Sequence, residues 1–192
     1  MSVNRTDQEE IHALIKRIKQ GDRSAFGTVT QQYQKKVFLL AYSYFGNKDD
    51  ALDIVQETFL RLYQKAHMYQ KGRNFQNWLL QIAKNLCTDY YRRSYGKEKA
   101  LRSEETLENI GSVIQGNSHD NASSDLRAIL SHCLKKLSER QRLIFVMKHY
   151  NQLQYNEIAQ ILNVALGTVK SLHFKAVQNL RGLMTPYMGG VK

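Results

Sequence analysis

The segment QYNEIAQILNVALGTVKSLHFKAVQNLR, residues 154–181, constrains the fold more than any other part of the chain. Apolar residues recur at helical spacing on both sides of the short connection NVAL, which predicts two helices joined by a tight turn. Ala159 offers the small side chain that closely approaching helices require, and Val164 is expected to fill the turn. We therefore predict a helix-turn-helix whose second helix begins near Gly167 and turns its N-terminal end towards a DNA groove. An ordinary helical hairpin with a solvated, charged face is the alternative.

Helical periodicity also covers most of the preceding chain. Only one proline, Pro186, occurs among 192 residues, and the 11 glycines are scattered. The predicted helices are one with an apolar stripe over residues 11–18, one from an N-cap at Asp22 or Ser24 to about Phe45, one from about Lys48 to His67, and one from about Phe75 to Ser94. A further N-cap is expected at Ser138, with Gln141 three residues on at the spacing of a capping box. The sequence therefore predicts an all-α protein.

Charge and composition divide the chain into two helical domains and a connector. Residues 1–95 carry a net charge of +6, residues 96–124 carry −2, and residues 125–192 carry +7. The middle segment is polar and loses the helical pattern, except for a possible short helix at about 101–107, so we predict a flexible acidic linker. The basic balance of the two flanking domains suits a polyanionic partner, since each cation that neutralises a phosphate releases a counterion.

The compartment is expected to be the cytoplasm. The N-terminus is charged and amphipathic, without the apolar core of a signal peptide, and no stretch approaches the length of a membrane span, so no membrane insertion is predicted. Cys87 and Cys133 lie far apart in helical stretches, which favours reduced core thiols over a disulfide or a metal pair.

The helix predicted over 48–67 carries an acidic stripe beside its apolar stripe. The predicted buried residues are Leu52, Val55, Phe59, Leu62 and Ala66. Asp49, Asp53, Gln56 and Leu60 stand at i, i+4, i+7 and i+11 and so share a neighbouring face. Acidic groups on a basic protein should not face DNA, and they suit a basic protein partner; a solvated helix face is the alternative.

The start of this helix also fits an enzymatic interpretation. The sequence DDALD, residues 49–53, fits the DDxxD pattern that binds magnesium diphosphate in helical isoprenoid synthases. Such a site needs a second acidic cluster, which this chain lacks. No nucleophile–base set, phosphate-binding glycine loop or metal-ligand spacing occurs elsewhere. We expect no catalytic residue, no metal, no cofactor and no small-molecule substrate.

The segment NFQNWLLQIAKNLCTDYYRR, residues 74–93, places polar and basic groups off its apolar stripe. With Tyr69, Phe75 and Trp78 beside the basic loop 67–74, it predicts an aromatic platform next to cations. Unpaired bases stack on aromatic rings while Lys and Arg hold phosphate. Core packing of Trp78 is the alternative.

Taken in this order, the motifs resemble those of extracytoplasmic-function (group IV) sigma factors, specificity subunits of bacterial RNA polymerase, over nearly the whole chain. DALDIVQETFLRLY is similar to the region-two helix that docks on the clamp helices of the largest polymerase subunit. FQNWLLQIAKNLCTDYYRR is similar to the stretch that melts and reads the minus-ten element. LSERQRLIF together with QYNEIAQILNVALGTVKSLHFKA is similar to region four, which reads the minus-thirty-five element and touches the flap.

The resemblance implies a role for each part of the chain. It implies a region-two domain over 1–95, a linker over 96–124 and a region-four domain over 125–192. The implied core-polymerase-binding residues are Asp49, Asp50, Asp53, Gln56, Glu57 and Leu60. The implied minus-ten residues are Tyr69, Lys71, Arg73, Trp78, Lys84, Asn85, Asp89, Arg92 and Arg93. The implied minus-thirty-five residues are Thr168, Lys170, Ser171, His173, Phe174 and Lys175.

The expected function is therefore that of an alternative sigma factor, with core RNA polymerase, promoter DNA and an anti-sigma factor as partners. The chain departs from the family pattern after GTVKS, where Leu172 and His173 replace the usual Arg and Leu. The alternative is a helix-turn-helix transcriptional regulator that does not bind core polymerase. Such regulators can carry an α/β receiver domain upstream, but residues 1–95 show helical periodicity and no buried strand runs.

Overall fold

The computed structural model describes residues 5–94 and 129–188. The helices are α1 (Arg5–Lys19), α2 (Arg23–Phe45), α3 (Lys48–Lys65), a 3₁₀ turn (Ala66–Met68), α4 (Phe75–Ser94), α5 (residues 129–135), α6 (Glu139–His149), α7 (Tyr155–Leu162) and α8 (Leu166–Met188). Within these two ranges there is no strand, so the all-α prediction is confirmed. The predicted linker, its possible helix at 101–107 and the predicted boundaries at 95 and 125 lie outside the described residues.

Helix α2 is the centre of the first compact unit, which α1–α4 build. It packs against α1 and α4, and every residue from Val37 to Ser43 is buried. A helix that is buried all round must be enclosed by neighbours on more than one side. Phe75 and Leu79 of α4, both 0% exposed, complete this core.

The turn between α1 and α2 is closed by Asp22, one of the two predicted N-caps. Its Oδ1 accepts hydrogen bonds from the backbone N–H groups of Ser24 (2.8 Å) and Ala25 (3.1 Å). Its Oδ2 pairs with Arg17 at 2.8 Å. The Ala25 N–H and then the Arg17 side chain lower the pKa of Asp22, because each stabilises the carboxylate.

The predicted buried stripe of α3 is partly wrong. Phe59, Leu62 and Ala66 are buried as expected, but Leu52 is 39% exposed and Val55 is only half-buried. The first turns instead bury Ala51, Ile54 and Thr58. Thr58 can lie in the core because its hydroxyl donates to the Ile54 carbonyl at 2.6 Å, which satisfies its polar group.

In the second unit, α8 packs on both α6 and α7. Ser138 caps α6 as predicted, accepting from the Gln141 N–H at 3.4 Å. In a capping box the Gln141 side chain would accept from the backbone N–H of Ser138. Here its Oε1 instead accepts a hydrogen bond of 3.1 Å from the Asn179 side chain of α8. That bond links α6 to the second helix of the helix-turn-helix.

The helix-turn-helix is formed by α7, the turn 163–165 and α8. Asn163 ends α7 in the left-handed conformation (φ 54°, ψ 53°), which asparagine tolerates better than most residues. Ala159 is buried as predicted. The expectation that Val164 fills the turn is wrong, because its side chain is 39% exposed and Ile161, 2% exposed, lies in the core instead.

No helix in the described parts of the chain is long and apolar enough to cross a membrane.

Candidate nucleic-acid and protein interfaces

The outer face of α3 combines acidic and apolar side chains. Asp49, Asp53 and Gln56 are exposed, and Leu60 is 50% exposed. Leu52 (39%) and Tyr63 (44%) lie in the same angular sector of the helix, since successive residues are about 100° apart. The α3 face is defined here as Asp49, Leu52, Asp53, Gln56, Leu60 and Tyr63. Exposed apolar groups rimmed by carboxylates suit a protein partner that brings an apolar pocket and basic groups.

Sequence reasoning missed Leu52 and Tyr63 as members of this face. Leu52 precedes Val55 by three residues and Val55 precedes Phe59 by four, a helical spacing that predicts a buried position for Leu52. The alternative stripe of Ala51, Ile54, Thr58 and Leu62 fits the same spacing, and it was the available signal. It was hidden because alanine and threonine contribute little hydrophobicity.

Asp50 and Glu57 lie beside the α3 face, and both are half-buried. Asp50 Oδ1 accepts a hydrogen bond of 2.8 Å from the Tyr90 hydroxyl of α4. Glu57 pairs with Arg61 at 2.9 Å, one turn along the same helix. Of the six predicted polymerase-binding residues, these two therefore have internal partners, while the other four point to solvent.

The loop after α3 does not expose the predicted aromatic platform. Tyr69 is 3% exposed and Phe75 is 0% exposed, and Trp78 is half-buried with its ring 5.4 Å from that of Tyr69. The expectation that Tyr69 stacks on an unpaired base is wrong in this structure, because its ring has no free face. Lys71 and Arg73 of the same loop are exposed as expected.

The predicted polar residues of α4 lie together on its outer side. Asn85, Arg92 and Arg93 are exposed, and Lys84 and Asp89 are half-buried. Arg92 pairs with Asp89 at 3.4 Å, a surface ion pair that contributes little to stability and leaves the guanidinium accessible. This side of α4 can present several hydrogen-bond donors and positive charges to a phosphate backbone.

The first turns of α8 expose the α8 face, which is defined as Thr168, Lys170, Ser171, Phe174 and Lys175. Phe174 is the most exposed large apolar residue among those described, at 63%. Val169, at 0% exposure, anchors the opposite side of the helix. Two lysines, two hydroxyls and an aromatic ring are groups that contact phosphates, base edges and thymine methyls.

His173, one of the implied minus-thirty-five residues, does not belong to the α8 face. Its ring is half-buried, with Nε2 2.9 Å from His149 Nε2 of α6 and Nδ1 3.0 Å from the Tyr155 hydroxyl of α7. Burial, followed by the positive charge of Lys148, lowers the pKa of His173. Burial is also the main cause that lowers the pKa of His149. The pair therefore fastens α8 to both helices that support it.

The second unit also has an apolar groove of about 560 Å³. It is lined by Leu130, Phe145, Val177, Leu180, Arg181, Met184 and Thr185. Within residues 5–94 and 129–188, no group of three or more His, Cys, Asp or Glu side chains could hold a metal ion. In the DDALD sequence, the Asp50 carboxylate accepts a hydrogen bond from the Tyr90 hydroxyl.

Comparison with family models identifies both parts of the chain. Residues 29–96 match Sigma-70 region 2, and residues 127–180 match Sigma-70 region 4. Together these matches cover more than half of the sequence.

Curated relatives align over nearly the full length. The chain is 32% identical to the ECF RNA polymerase sigma factor SigW of Bacillus subtilis (strain 168) over 173 residues, which cover 87% of this chain and 92% of that protein. It is 30% identical to the ECF RNA polymerase sigma-E factor of Escherichia coli (strain K12) over 192 residues, covering 97% and 98% of the two chains.

Two solved structures share the fold. The sigma factor RpoE from Bartonella quintana, in complex with the anti-sigma factor NepR, aligns with a TM-score of 0.65 at 23% identity, covering 83% of this chain and 96% of that one. CnrH in complex with the cytosolic domain of CnrY aligns with a TM-score of 0.62 at 21% identity, covering 90% and 95%.

Proposed function

Because this chain belongs to the family of ECF RNA polymerase sigma factors, it is an alternative sigma factor for transcription initiation, and we propose that it acts by joining core RNA polymerase to promoter DNA. The observation that carries the proposed mechanism is the α3 face, where an acidic and apolar surface stands on a protein of net charge +11. Such a surface repels DNA and attracts a basic protein partner.

The proposed docking site for core polymerase is this α3 face. Asp53 and Gln56 supply polar complementarity, and Leu60 supplies apolar area that is already half-accessible and can be buried without unfolding the helix. Asp50 and Glu57 support it from the side through their bonds to Tyr90 and Arg61. The clamp helices of the largest subunit are the proposed contact.

The proposed minus-ten contacts come from α4 and the loop before it. Lys71 and Arg73 extend from the loop, while Lys84, Asn85, Asp89, Arg92 and Arg93 lie on the outer side of α4. Cations hold the phosphates of an opened strand while polar groups read its bases. Trp78 is half-buried, so its proposed part is to support the loop and to border the strand.

The proposed minus-thirty-five reader is the α8 face. The N-terminus of α8 presents unpaired backbone N–H groups and the positive end of a helix dipole, both suited to a phosphate. Lys170 and Lys175 add charge, and Phe174 can touch base edges in the major groove. The second unit is also the proposed site for contact with the polymerase flap.

An anti-sigma factor is the proposed regulator. The sigma factor RpoE from Bartonella quintana, which shares this fold at 23% identity, forms a complex with the anti-sigma factor NepR, and CnrH, which shares it at 21% identity, forms a complex with the cytosolic domain of CnrY. A covering protein would block the same exposed surfaces that polymerase and DNA need. The proposed location is the cytoplasm, where bacterial RNA polymerase works. Sigma factors are transcription initiation factors, and we propose no catalytic, metal, cofactor or small-molecule site for this one.

Run-off transcription tests this proposal. Core polymerase is incubated with genomic fragments, with and without the purified chain. We expect discrete transcripts that require the chain from a small subset of fragments. The absence of any such transcript would contradict the proposal. Co-purification distinguishes the alternative, because a sigma factor binds core polymerase stoichiometrically and a regulator bound to DNA alone does not.

A further inference from the structure

The loop between the 3₁₀ turn and α4 is closed by bonds that converge on Tyr69. Its N–H donates to the Ala66 carbonyl at 3.1 Å, and its hydroxyl donates to the Arg73 carbonyl at 2.6 Å. Its own carbonyl accepts a bond of 3.0 Å from the ammonium group of Lys19. One residue therefore ties together the start of the loop, the end of the loop and helix α1.

The Tyr69 ring is held from several sides. Phe75 meets it edge-on, with ring centroids 5.5 Å apart, and Trp78 is 5.4 Å away. From α1, the His12 ring lies at 6.1 Å. Burial raises the pKa of the Tyr69 phenol, so the hydroxyl keeps its proton and remains a donor to Arg73.

This arrangement leaves the middle of the loop exposed to solvent but held in a defined turn. Gln70, Lys71, Gly72 and Arg73 all face solvent. Gly72 has φ +92°, a conformation that favours glycine, and the Arg73 N–H returns a bond of 3.3 Å to the Gln70 carbonyl. The exposed turn is thus a short closed structure whose shape depends on a buried residue that no ligand would touch.

We propose that Tyr69 and Lys19 are positioning residues, which hold residues 70–73 in one conformation so that this turn can discriminate a base of the opened minus-ten strand. The inference rests on the proposed function, and it extends promoter reading to α1. Lys19 and His12 lie before residue 29, where the match to Sigma-70 region 2 begins. A role for α1 therefore follows from contacts in this structure.

The distances explain why these two side chains should act on specificity. A turn of four exposed residues has few other constraints among the described contacts, so losing the hydroxyl–carbonyl bond frees the Arg73 peptide group. Losing the Lys19 bond frees the Tyr69 peptide group at the other end. Each change broadens the positions that Lys71 and Arg73 can adopt, so their phosphate contacts no longer hold one base in a fixed place against the turn, and discrimination at that base weakens. A single neutral hydrogen bond, such as that of the Tyr69 hydroxyl, corresponds to an effect of roughly two- to tenfold, and a bond from a charged donor such as the Lys19 ammonium group corresponds to at least as much.

The test uses the full chain with core polymerase on the strongest promoter from the run-off experiment. Each minus-ten base pair is replaced in turn, and open-complex formation is followed with 2-aminopurine in the non-template strand. Tyr69→Phe keeps the packed ring and removes the donor, while Lys19→Met keeps the stem and removes the ammonium group. Lys19→Arg restores a donor. Lys16→Met is the matched control, because Lys16 is an exposed lysine one turn away on α1.

We expect Tyr69→Phe to lose roughly two- to tenfold of the discrimination at a single minus-ten position, and Lys19→Met, which removes a charged donor, to lose at least as much at the same position. Lys19→Arg should retain it, and Lys16→Met should match the parent. Affinity for core polymerase should not change, because neither residue belongs to the α3 face. The melting temperature of every variant is measured to detect a loss of stability. Lys19 is a surface residue, so its replacement leaves the core intact.

Unchanged discrimination in both variants would overturn the inference while leaving the proposed function standing. An equal loss at every position, shared by Lys16→Met, would also overturn it, since that pattern reports general charge or stability. A parent chain that opens no promoter with core polymerase would instead overturn the proposed function, and this inference with it.

Discussion

Leu60 provides the sharpest test of the α3 face. Burying a whole leucine side chain is worth about 1.5–3 kcal/mol. Because Leu60 is already half-covered, at 50% exposure, docking can remove only the other half from water. Leu60→Ala should therefore weaken binding to core polymerase by about 0.8–1.5 kcal/mol, which is about four- to twelvefold. The melting temperature should stay close to that of the parent.

Leu62, two residues further along the same helix, is the matched control. It is 0% exposed, so Leu62→Ala creates a cavity and should cost about 2–5 kcal/mol of folding free energy. Fluorescence anisotropy of a labelled chain titrated with core polymerase measures affinity, and thermal unfolding measures stability. If Leu60→Ala binds as tightly as the parent, this face does not dock on polymerase, and the reasoning from its exposure fails.

Charge, base preference and pH provide three further tests. Asp53→Lys should weaken core binding more than tenfold, because like charges across an interface cost several kcal/mol, and an unchanged titration would remove Asp53 from the interface. Phe174→Ala should alter minus-thirty-five preference by about 1–3 kcal/mol per affected base pair in a promoter library, while Lys175→Ala should weaken all promoters alike and reduce the salt slope by about one. The pKa values of His149 and His173 are lowered from 6.5, so the unfolded chain binds more protons and stability should fall as pH drops below about 6.5. Thermal unfolding from about pH 7.5 to about pH 5 measures this, and a fall just as steep in His149→Gln would exclude the pair as its cause.

The helices were predictable because their signals are local. Helical spacing, a single proline and cap residues such as Asp22 and Ser138 act within one or two turns, and both caps form as expected. The phase of α3 was not predictable with equal certainty, since two stripes fit the same spacing. The stripe that is buried contains Thr58, whose hydroxyl bonds to the Ile54 carbonyl, an interaction that a hydrophobicity pattern does not register.

Tyr69 and His173 show where local reasoning must stop. Both combine an aromatic ring with a polar group beside a basic segment, and that chemistry serves equally well for touching DNA or for joining helices. The choice is made by partners that are distant in sequence. Lys19 stands 50 residues before Tyr69, and His149 stands 24 residues before His173.

The two residues have the same structural consequence in different units. Each lies next to solvent-facing residues that are proposed to contact DNA: Lys71 and Arg73 in the first unit, and Phe174 and Lys175 in the second. An exposed side chain can read a base only if its backbone is held, because mobility spreads its donors over many positions. Tyr69, which is buried, and His173, which is half-buried, supply that rigidity through bonds of 2.6 Å to the Arg73 carbonyl and 2.9–3.0 Å around His173. Replacing a phosphate-binding cation such as Lys175 should therefore change affinity, whereas replacing the polar aromatic residue behind such a cation should change selectivity first.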